Sequence, residues 1–195
     1  MKIPPEIIKE LLTLPNLLTC FRFISAPTML FFAWIGNGDM FLLLLAITFL
    51  SDLLDGMAAR ILGQESELGS VLDSWADLLV YITIAVSTWW LWPEVIIQQL
   101  YYVVITIFSY TMPVAVGLYK FHAVTSYHTW LVKCAVASMG VSLFLLFLFE
   151  IVWPFRLAAF ICLLSAVEEI AITSYLPKLR SNVRSLWHLR KALNT

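Results

Sequence analysis

The sequence predicts an all-α integral membrane protein with six transmembrane helices and a short amphipathic helix at the N-terminus. Composition is the first observation behind this prediction, because 61% of the 195 residues are hydrophobic, only 13% are charged, and the mean hydropathy is +0.88. A soluble domain averages roughly 45–50% apolar residues, so this chain has too much apolar surface for one. The second observation is a series of apolar stretches, each close to the roughly 20 residues that a helix needs to cross a bilayer.

The predicted elements follow one another with short connections. In residues 1–14 the apolar side chains lie on one side of a helix and Lys9 and Glu10 on another, which predicts a helix lying in the membrane interface. The first span runs on without a small-residue cleavage site, so we interpret it as a retained helix and not as a signal peptide. Six spans are predicted, at residues 15–34, 41–62, 69–92, 95–119, 127–153 and 155–178.

Charge predicts the domain organisation and the orientation. The connections are too short to hold a second domain, so residues 1–195 are predicted to form a single membrane domain, with a six-helix bundle at 15–178 and a basic tail at 179–195. Loops rich in Lys and Arg face the cytosol, which places both termini there. The cations on that side are Lys2, Lys9, Arg60, Lys120, Lys178, Arg180, Arg184, Arg190 and Lys191. At the opposite boundary, an aromatic belt is predicted from Trp34, Trp89, Trp90, Trp92 and Trp153.

Four aspartates fall inside the second and third spans, where an unpaired carboxylate is expensive. Asp52 and Asp55 are three residues apart, and Asp73 and Asp77 are four apart, so each pair occupies one helix face and the two pairs can converge. Arg60 is the only nearby cation that we identify in the sequence, so a divalent metal is the natural counter-charge. Carboxylate oxygens suit Mg²⁺ or Mn²⁺, which phosphate oxygens commonly complete. A cation or proton site of a transporter is the alternative interpretation.

Eight positions resemble the signature of the CDP-alcohol phosphotransferase (phosphatidyltransferase) family: Asp52, Asp55, Gly56, Ala59, Arg60, Gly69, Asp73 and Asp77. The segment P-N-L-L-T-C-F-R at residues 15–22 also resembles the first span of that family. The resemblance implies transfer of a phosphatidyl group from CDP-diacylglycerol to the hydroxyl of a small alcohol, with release of CMP. It also implies a cytosol-facing cavity that holds two divalent ions, a homodimer in a lipid membrane, and no nucleic-acid partner.

The resemblance also implies a role for each signature residue. It makes Asp52, Asp55 and Asp73 metal ligands, and Asp77 the base that takes the acceptor proton, which leaves open that Asp77 also touches a metal. The remaining positions are predicted to bind the nucleotide or the CDP-lipid: Asn16, Thr19, Gly56, Ala59, Arg60 and Gly69. For Asn16 and Thr19 the alternative is a helix cap. For Arg22, phosphate contact stands against an interface position in which its side chain reaches the lipid headgroups.

The acceptor is predicted from the polar groups around the cavity mouth. Glycerol 3-phosphate is the leading acceptor and would need several cations; the predicted contacts are Lys120, His128, Lys133 and Arg180. The stretch S-Y-H-T at residues 126–129 stands where more lysine is expected for that substrate, so inositol, serine or another alcohol remains an alternative. The compact chain suggests a bacterial cytoplasmic membrane. Glu168 and Glu169 are adjacent and cannot share a helix face, so one of them is expected to point inward.

Overall fold

The structure is a computed structural model that describes residues 13–64, 66–122, 127 and 129–176. Within these residues there are seven helices and no strand: α1 Leu14–Trp34, α2 Gly38–Leu62, α3 Glu67–Leu91, α4 Pro93–Gln98, α5 Leu100–Phe121, α6 Trp130–Phe149 and α7 Trp153–Tyr175. All except α4 are long and apolar enough to cross a membrane. The prediction of an all-α integral membrane protein with six transmembrane helices is therefore confirmed.

The chain divides into two compact units, and α1 is the central helix of the first unit, residues 1–96, because it packs against both α2 and α3. Besides the contacts to Asp52 and Asp55 described below, two side-chain hydrogen bonds tie α1 to α2. Thr48 donates to the Ser25 hydroxyl over 3.0 Å, and Ser51 donates to the Leu18 carbonyl oxygen over 3.1 Å. Such interhelical bonds contribute about 0.6 kcal/mol each in a membrane bundle. These bonds help to fix the rotation of α2 about its axis, and α2 carries Asp52 and Asp55.

A short turn connects α2 and α3, the two helices that carry the aspartates. Gly63 adopts a left-handed conformation, with φ of +61°, and ends α2 at the preceding residue. Ser66 then starts α3, since its hydroxyl accepts a hydrogen bond from the Gly69 backbone N–H over 3.0 Å. Four residues, 63–66, connect the end of α2 to the start of α3, and each of the two helices packs against α1.

In the second unit, residues 97–195, α7 packs against both α5 and α6. Small side chains let these helices approach closely. Those that are buried include Ala135, Ala158, Ala159, Cys162 and Ala166. Near the C-terminal end of α7, Tyr127, Ile172 and Leu176 form a buried cluster, with Phe121 packed against it.

Two predicted spans differ from the structure more than the others do. The fourth, residues 95–119, is wrong at its start, because the chain forms the short α4 and breaks at Gln99 before α5 begins. Gln99 is buried, and its side-chain oxygen accepts a hydrogen bond from Arg156 over 3.0 Å. The fifth span, residues 127–153, is too long at both ends. Thr129 caps the start of α6 through the Val132 N–H, and Glu150, with φ of +57°, ends it.

Some predictions concern residues outside the described ranges. The interfacial helix at residues 1–14 falls there except for its last two residues, and the basic tail at 179–195 falls there entirely. His128 and Arg180 are outside as well. These assignments stay predictions, as does the single membrane domain.

Candidate active site

The first unit brings the four aspartates of the second and third spans together. Asp52 and Asp55 lie on α2, and Asp73 and Asp77 lie on α3. Asp52, Asp55 and Asp73 each contribute a carboxylate oxygen to a group whose members all lie within 4.8 Å of one another. Asp77 joins them through a shared partner, the guanidinium of Arg22 on α1.

Arg22 lies at the centre of the cluster. Its Nη1 donates to Asp52 Oδ1 over 2.6 Å and also to Asp77, and its Nη2 donates to Asp55 and to Asp73. The side chain is 1% exposed. The interpretation of Arg22 as an interface residue that reaches the headgroups is therefore wrong, and so is the inference that Arg60 is the only nearby cation. Arg60 is exposed in the last turn of α2.

Sequence reasoning missed this contact, although a signal for it was available. Asn16, Thr19 and Arg22 are spaced by three residues, so they share one face of α1 by the same rule that paired the aspartates. In the structure all three are buried. A polar face on an apolar helix next to two acidic helices predicts that the faces meet, because buried charges are paired.

The cluster is closed on one side and open on the other. The Asp55 side chain is 7% exposed, whereas those of Asp52, Asp73 and Asp77 are 38%, 33% and 34% exposed. Thr19 Oγ1 lies 3.2 Å from Asp55 Oδ2, which holds the innermost carboxylate against α1. The three more exposed carboxylates are the ones that a ligand can reach.

Charge and donor chemistry at this cluster fit divalent cations. Four carboxylates share one guanidinium, which can offset the charge of only one of them. Oxygen donors from carboxylates are the ligand type that Mg²⁺ and Mn²⁺ take. In the described part of the chain, the buried Nε of Arg22 has no hydrogen-bond partner, so this N–H is left for an acceptor other than the aspartates.

The two signature glycines have different surroundings. A Cβ atom added at Gly69 would lie 2.8 Å from Asn16 Oδ1 and 3.1 Å from Ser66 Oγ, so the absence of a side chain lets α3 approach α1. A Cβ atom at Gly56 would meet no described atom within 4 Å. Helix packing among the described residues thus explains Gly69 and leaves Gly56 beside open space. Ala59, one turn after Gly56, is half-buried.

The predicted acceptor residues that the structure describes lie in the second unit. Lys120 Nζ donates to the Thr173 and Ser174 carbonyl oxygens, over 2.9 and 2.8 Å, at the C-terminal end of α7. Lys133 Nζ lies 5.3 Å from the centre of the Trp130 ring. Both lysines are exposed. Lys120 therefore stabilises a helix end, where backbone carbonyls carry partial negative charge, and its predicted role toward the acceptor stays a prediction.

Polar residues around the start of α6 are mostly engaged with α7. Thr129 donates to Glu168 Oε2 over 2.9 Å, and Thr173 donates to the Tyr127 hydroxyl oxygen over 3.2 Å. Tyr127 is almost fully buried, and burial raises the pKa of its phenol above the usual value. The hydroxyl therefore stays protonated at neutral pH. Tyr127 is a packing residue of the second unit as well as a hydrogen-bonding one.

Comparison with known proteins identifies the family to which the signature residues belong. A family model described as CDP-alcohol phosphatidyltransferase matches residues 12–173, a range that contains α1 to α3 and all four aspartates. The chain belongs to the CDP-alcohol phosphatidyltransferase family. Membership confirms the resemblance that the signature indicated, and it classes the protein with transferases of phospholipid biosynthesis.

A relative of this phosphatidyltransferase family member is named CDP-diacylglycerol--glycerol-3-phosphate 3-phosphatidyltransferase and comes from Aquifex aeolicus (strain VF5). The two are 39% identical over 66 residues, which is 34% of this chain and 37% of the relative. The match thus spans little more than a third of the relative's length. No solved structure matches the chain.

Proposed function

We propose that this protein transfers the phosphatidyl group of CDP-diacylglycerol to the hydroxyl of a small polar alcohol and releases CMP. The observation that carries the proposal is the convergence of the four signature aspartates, from α2 and α3, in a membrane protein of this family. The acceptor oxygen forms a bond to the phosphorus that bears the diacylglycerol. The bond from that phosphorus to the CMP oxygen breaks, and the hydroxyl proton passes to a base.

Asp52, Asp55, Asp73 and Asp77 are proposed to hold two divalent ions, Mg²⁺ or Mn²⁺. When bound, such ions offset the charge on the diphosphate and stabilise the departing CMP. The charge balance of the cluster supports this assignment, since carboxylates that exceed their guanidinium partner would repel a diphosphate. The deep burial of Asp55 and its contact with Thr19 suit a ligand held in one position.

Asp77 is proposed to take the proton from the acceptor hydroxyl. Its side chain is one-third exposed, which supports access for a substrate from the open side of the cluster. Of the two α3 aspartates it lies one turn farther from the turn at Gly63. Asp73, next to the Gly69 contact, is assigned to metal binding.

The nucleotide is proposed to lie along α2 and the start of α3. The open space beside Gly56 supports this placement, because helix packing does not account for a glycine there. Ala59 has only a methyl side chain, so it adds little bulk next to Gly56. The exposed Arg60 is proposed to contact phosphate. Asn16, Thr19 and Gly69 are proposed to form the wall of the site on the α1 side.

Glycerol 3-phosphate is the leading acceptor in this proposal, with inositol, serine or another alcohol as the alternative. The name of the Aquifex relative supports the leading choice. Lys120, His128, Lys133 and Arg180 are the proposed acceptor contacts. We further propose a homodimer in a bacterial cytoplasmic membrane with the site facing the cytosol; the family resemblance supports the dimer, and the distribution of cations supports the orientation.

The test is CMP release from CDP-diacylglycerol by the purified protein, with each acceptor supplied in turn. Acceptor-dependent CMP formation is expected in the presence of Mg²⁺ or Mn²⁺. Asp73→Asn is the matched control, since it removes one charge and keeps the size of the side chain. A transporter with a cation site would form no CMP with any acceptor, and that result would refute the proposed function.

A further inference from the structure

Arg22 is bonded to the same four aspartates that are proposed to hold the divalent ions. Nη1 and Nη2 each donate to two carboxylates, so both terminal nitrogens are occupied by the cluster. A divalent ion bound by the same carboxylates would place a second cation beside the guanidinium. Like charges at such a short range repel strongly, most of all away from bulk water. Arg22 and the ions would therefore compete for the same carboxylates.

The guanidinium is also incompletely satisfied where it lies. Among the residues that the structure describes, the buried Nε has no hydrogen-bond partner, whereas each terminal nitrogen donates to two carboxylates. Nε and one Nη of an arginine together match two oxygens of a phosphate, which is the common bidentate arrangement. A phosphate group could therefore accept a hydrogen bond from Nε, which the aspartates do not use.

The helix that carries Arg22 does not depend on this contact alone. Thr19, one turn earlier on α1, contacts Asp55, and α1 packs along both α2 and α3. The Ser25 contact with Thr48 holds the next turn of α1. The long arginine side chain can thus leave the carboxylates while the backbone of α1 stays in place.

We propose that Arg22 is a built-in counter-ion, which offsets part of the negative charge of the aspartates before divalent ions bind and moves from them to a phosphate of the nucleotide substrate once the ions are present. This inference rests on the proposed function for the identity of the substrate. It adds an exchange step, in which Arg22 first binds the aspartates and then binds a phosphate of the substrate. Before any metal arrives, Arg22 offsets one of the four carboxylate charges in the helix bundle.

The first experiment measures the accessibility of Arg22 in the wild-type protein. Phenylglyoxal modifies exposed arginines, and mass spectrometry reads Arg22 separately from Arg156, the internal control. In EDTA, Arg22 should be protected. Mg²⁺ should raise its rate of modification about 5- to 100-fold, the range of a typical coupling between two sites, and CDP added with Mg²⁺ should restore protection. Equal protection of Arg22 in EDTA and in Mg²⁺ would overturn the exchange.

The second experiment measures Mn²⁺ affinity by electron paramagnetic resonance, and CDP affinity at saturating Mn²⁺. Arg22→Gln should bind Mn²⁺ about 5- to 100-fold more tightly, because its competitor is gone, and CDP more weakly by a similar factor. Arg156→Gln makes the same change in the second unit, where Arg156 contacts Gln99 and Tyr102, and should alter neither affinity. Arg22→Lys keeps the charge and loses the fork, so it should keep wild-type Mn²⁺ affinity and lose CDP affinity.

The outcomes separate this inference from the proposed function. If Arg22→Gln binds Mn²⁺ no more tightly than the wild type does, Arg22 is a fixed structural partner and the inference fails, even where CMP is still released. If no acceptor yields CMP but Mn²⁺ exposes Arg22 and CDP covers it, the proposed reaction fails and the exchange stands. Should Arg22→Gln not fold, the modification experiment on the wild type and the Arg22→Lys variant still decide the matter.

Discussion

Alanine substitutions at Gly69 and Gly56 should act in opposite directions on stability, although both add a single methyl group to a helix. At Gly69 the new methyl would lie 2.8 Å from Asn16 Oδ1, and at Gly56 it would meet no described atom within 4 Å. Asn16 is buried against α3, so it has little room to withdraw. The pair therefore separates a glycine required by packing from a glycine that borders open space.

The magnitude follows from two contributions. Replacing glycine by alanine inside a helix gains up to about 1 kcal/mol at either position, so this contribution largely cancels in the comparison. Overpacking at Gly69 costs about 1–3 kcal/mol. The free energy of unfolding of Gly69→Ala should thus lie about 1–3 kcal/mol below that of Gly56→Ala. For a chain of this size each kcal/mol corresponds to about 2–4 °C, so the melting temperatures should differ by roughly 2–12 °C.

The assay is thermal unfolding of both variants in detergent with EDTA, followed by CDP binding at saturating Mg²⁺. Gly56→Ala should be at least as stable as the wild type and should bind CDP more weakly, since the methyl enters the space assigned to the nucleotide. Equal destabilisation by the two substitutions would mean that Gly56 is also a packing glycine. Wild-type CDP affinity in Gly56→Ala would refute the placement of the nucleotide along α2.

Three further predictions address the chemistry. Excess EDTA should abolish CMP release, and Mg²⁺ or Mn²⁺ should restore it, because the aspartates repel a diphosphate without cations; full turnover in EDTA would contradict the two-ion proposal. Asp77→Asn should lower turnover by about 10² or more and keep much of the CDP-lipid affinity, whereas equal loss of both, as expected for Asp52→Asn, would make Asp77 mainly a metal ligand. Lys133→Ala and Arg180→Ala should raise the KM for glycerol 3-phosphate about 10- to 100-fold, from the loss of about 1.5–3 kcal/mol per charged hydrogen bond, while leaving the KM for CDP-diacylglycerol unchanged. Wild-type acceptor KM in both variants would exclude a phosphorylated acceptor at these cations.

The membrane fold could be predicted from the sequence because its driving force is local and additive. A helix crosses a bilayer when about 20 consecutive residues are apolar, and each stretch can be recognised without knowledge of its neighbours. Helix ends were less predictable, since single contacts decide them. Gln99 interrupts the apolar run by bonding to Arg156, which is 57 residues away in the chain, and no local pattern indicates this contact.

The aspartate cluster could also be predicted in part, because residues three or four apart on a helix must share a face. That rule pairs Asp52 with Asp55 and Asp73 with Asp77, and in the structure both pairs contact Arg22. The sequence by itself thus determined the membrane fold, the family and the acidic character of the site. Only the tertiary structure decided which cation enters the cluster, because the rotation of α1 against α2 and α3 brings Arg22, and not Arg60, to the carboxylates. That rotation depends on packing over the whole length of three helices, which no single motif specifies.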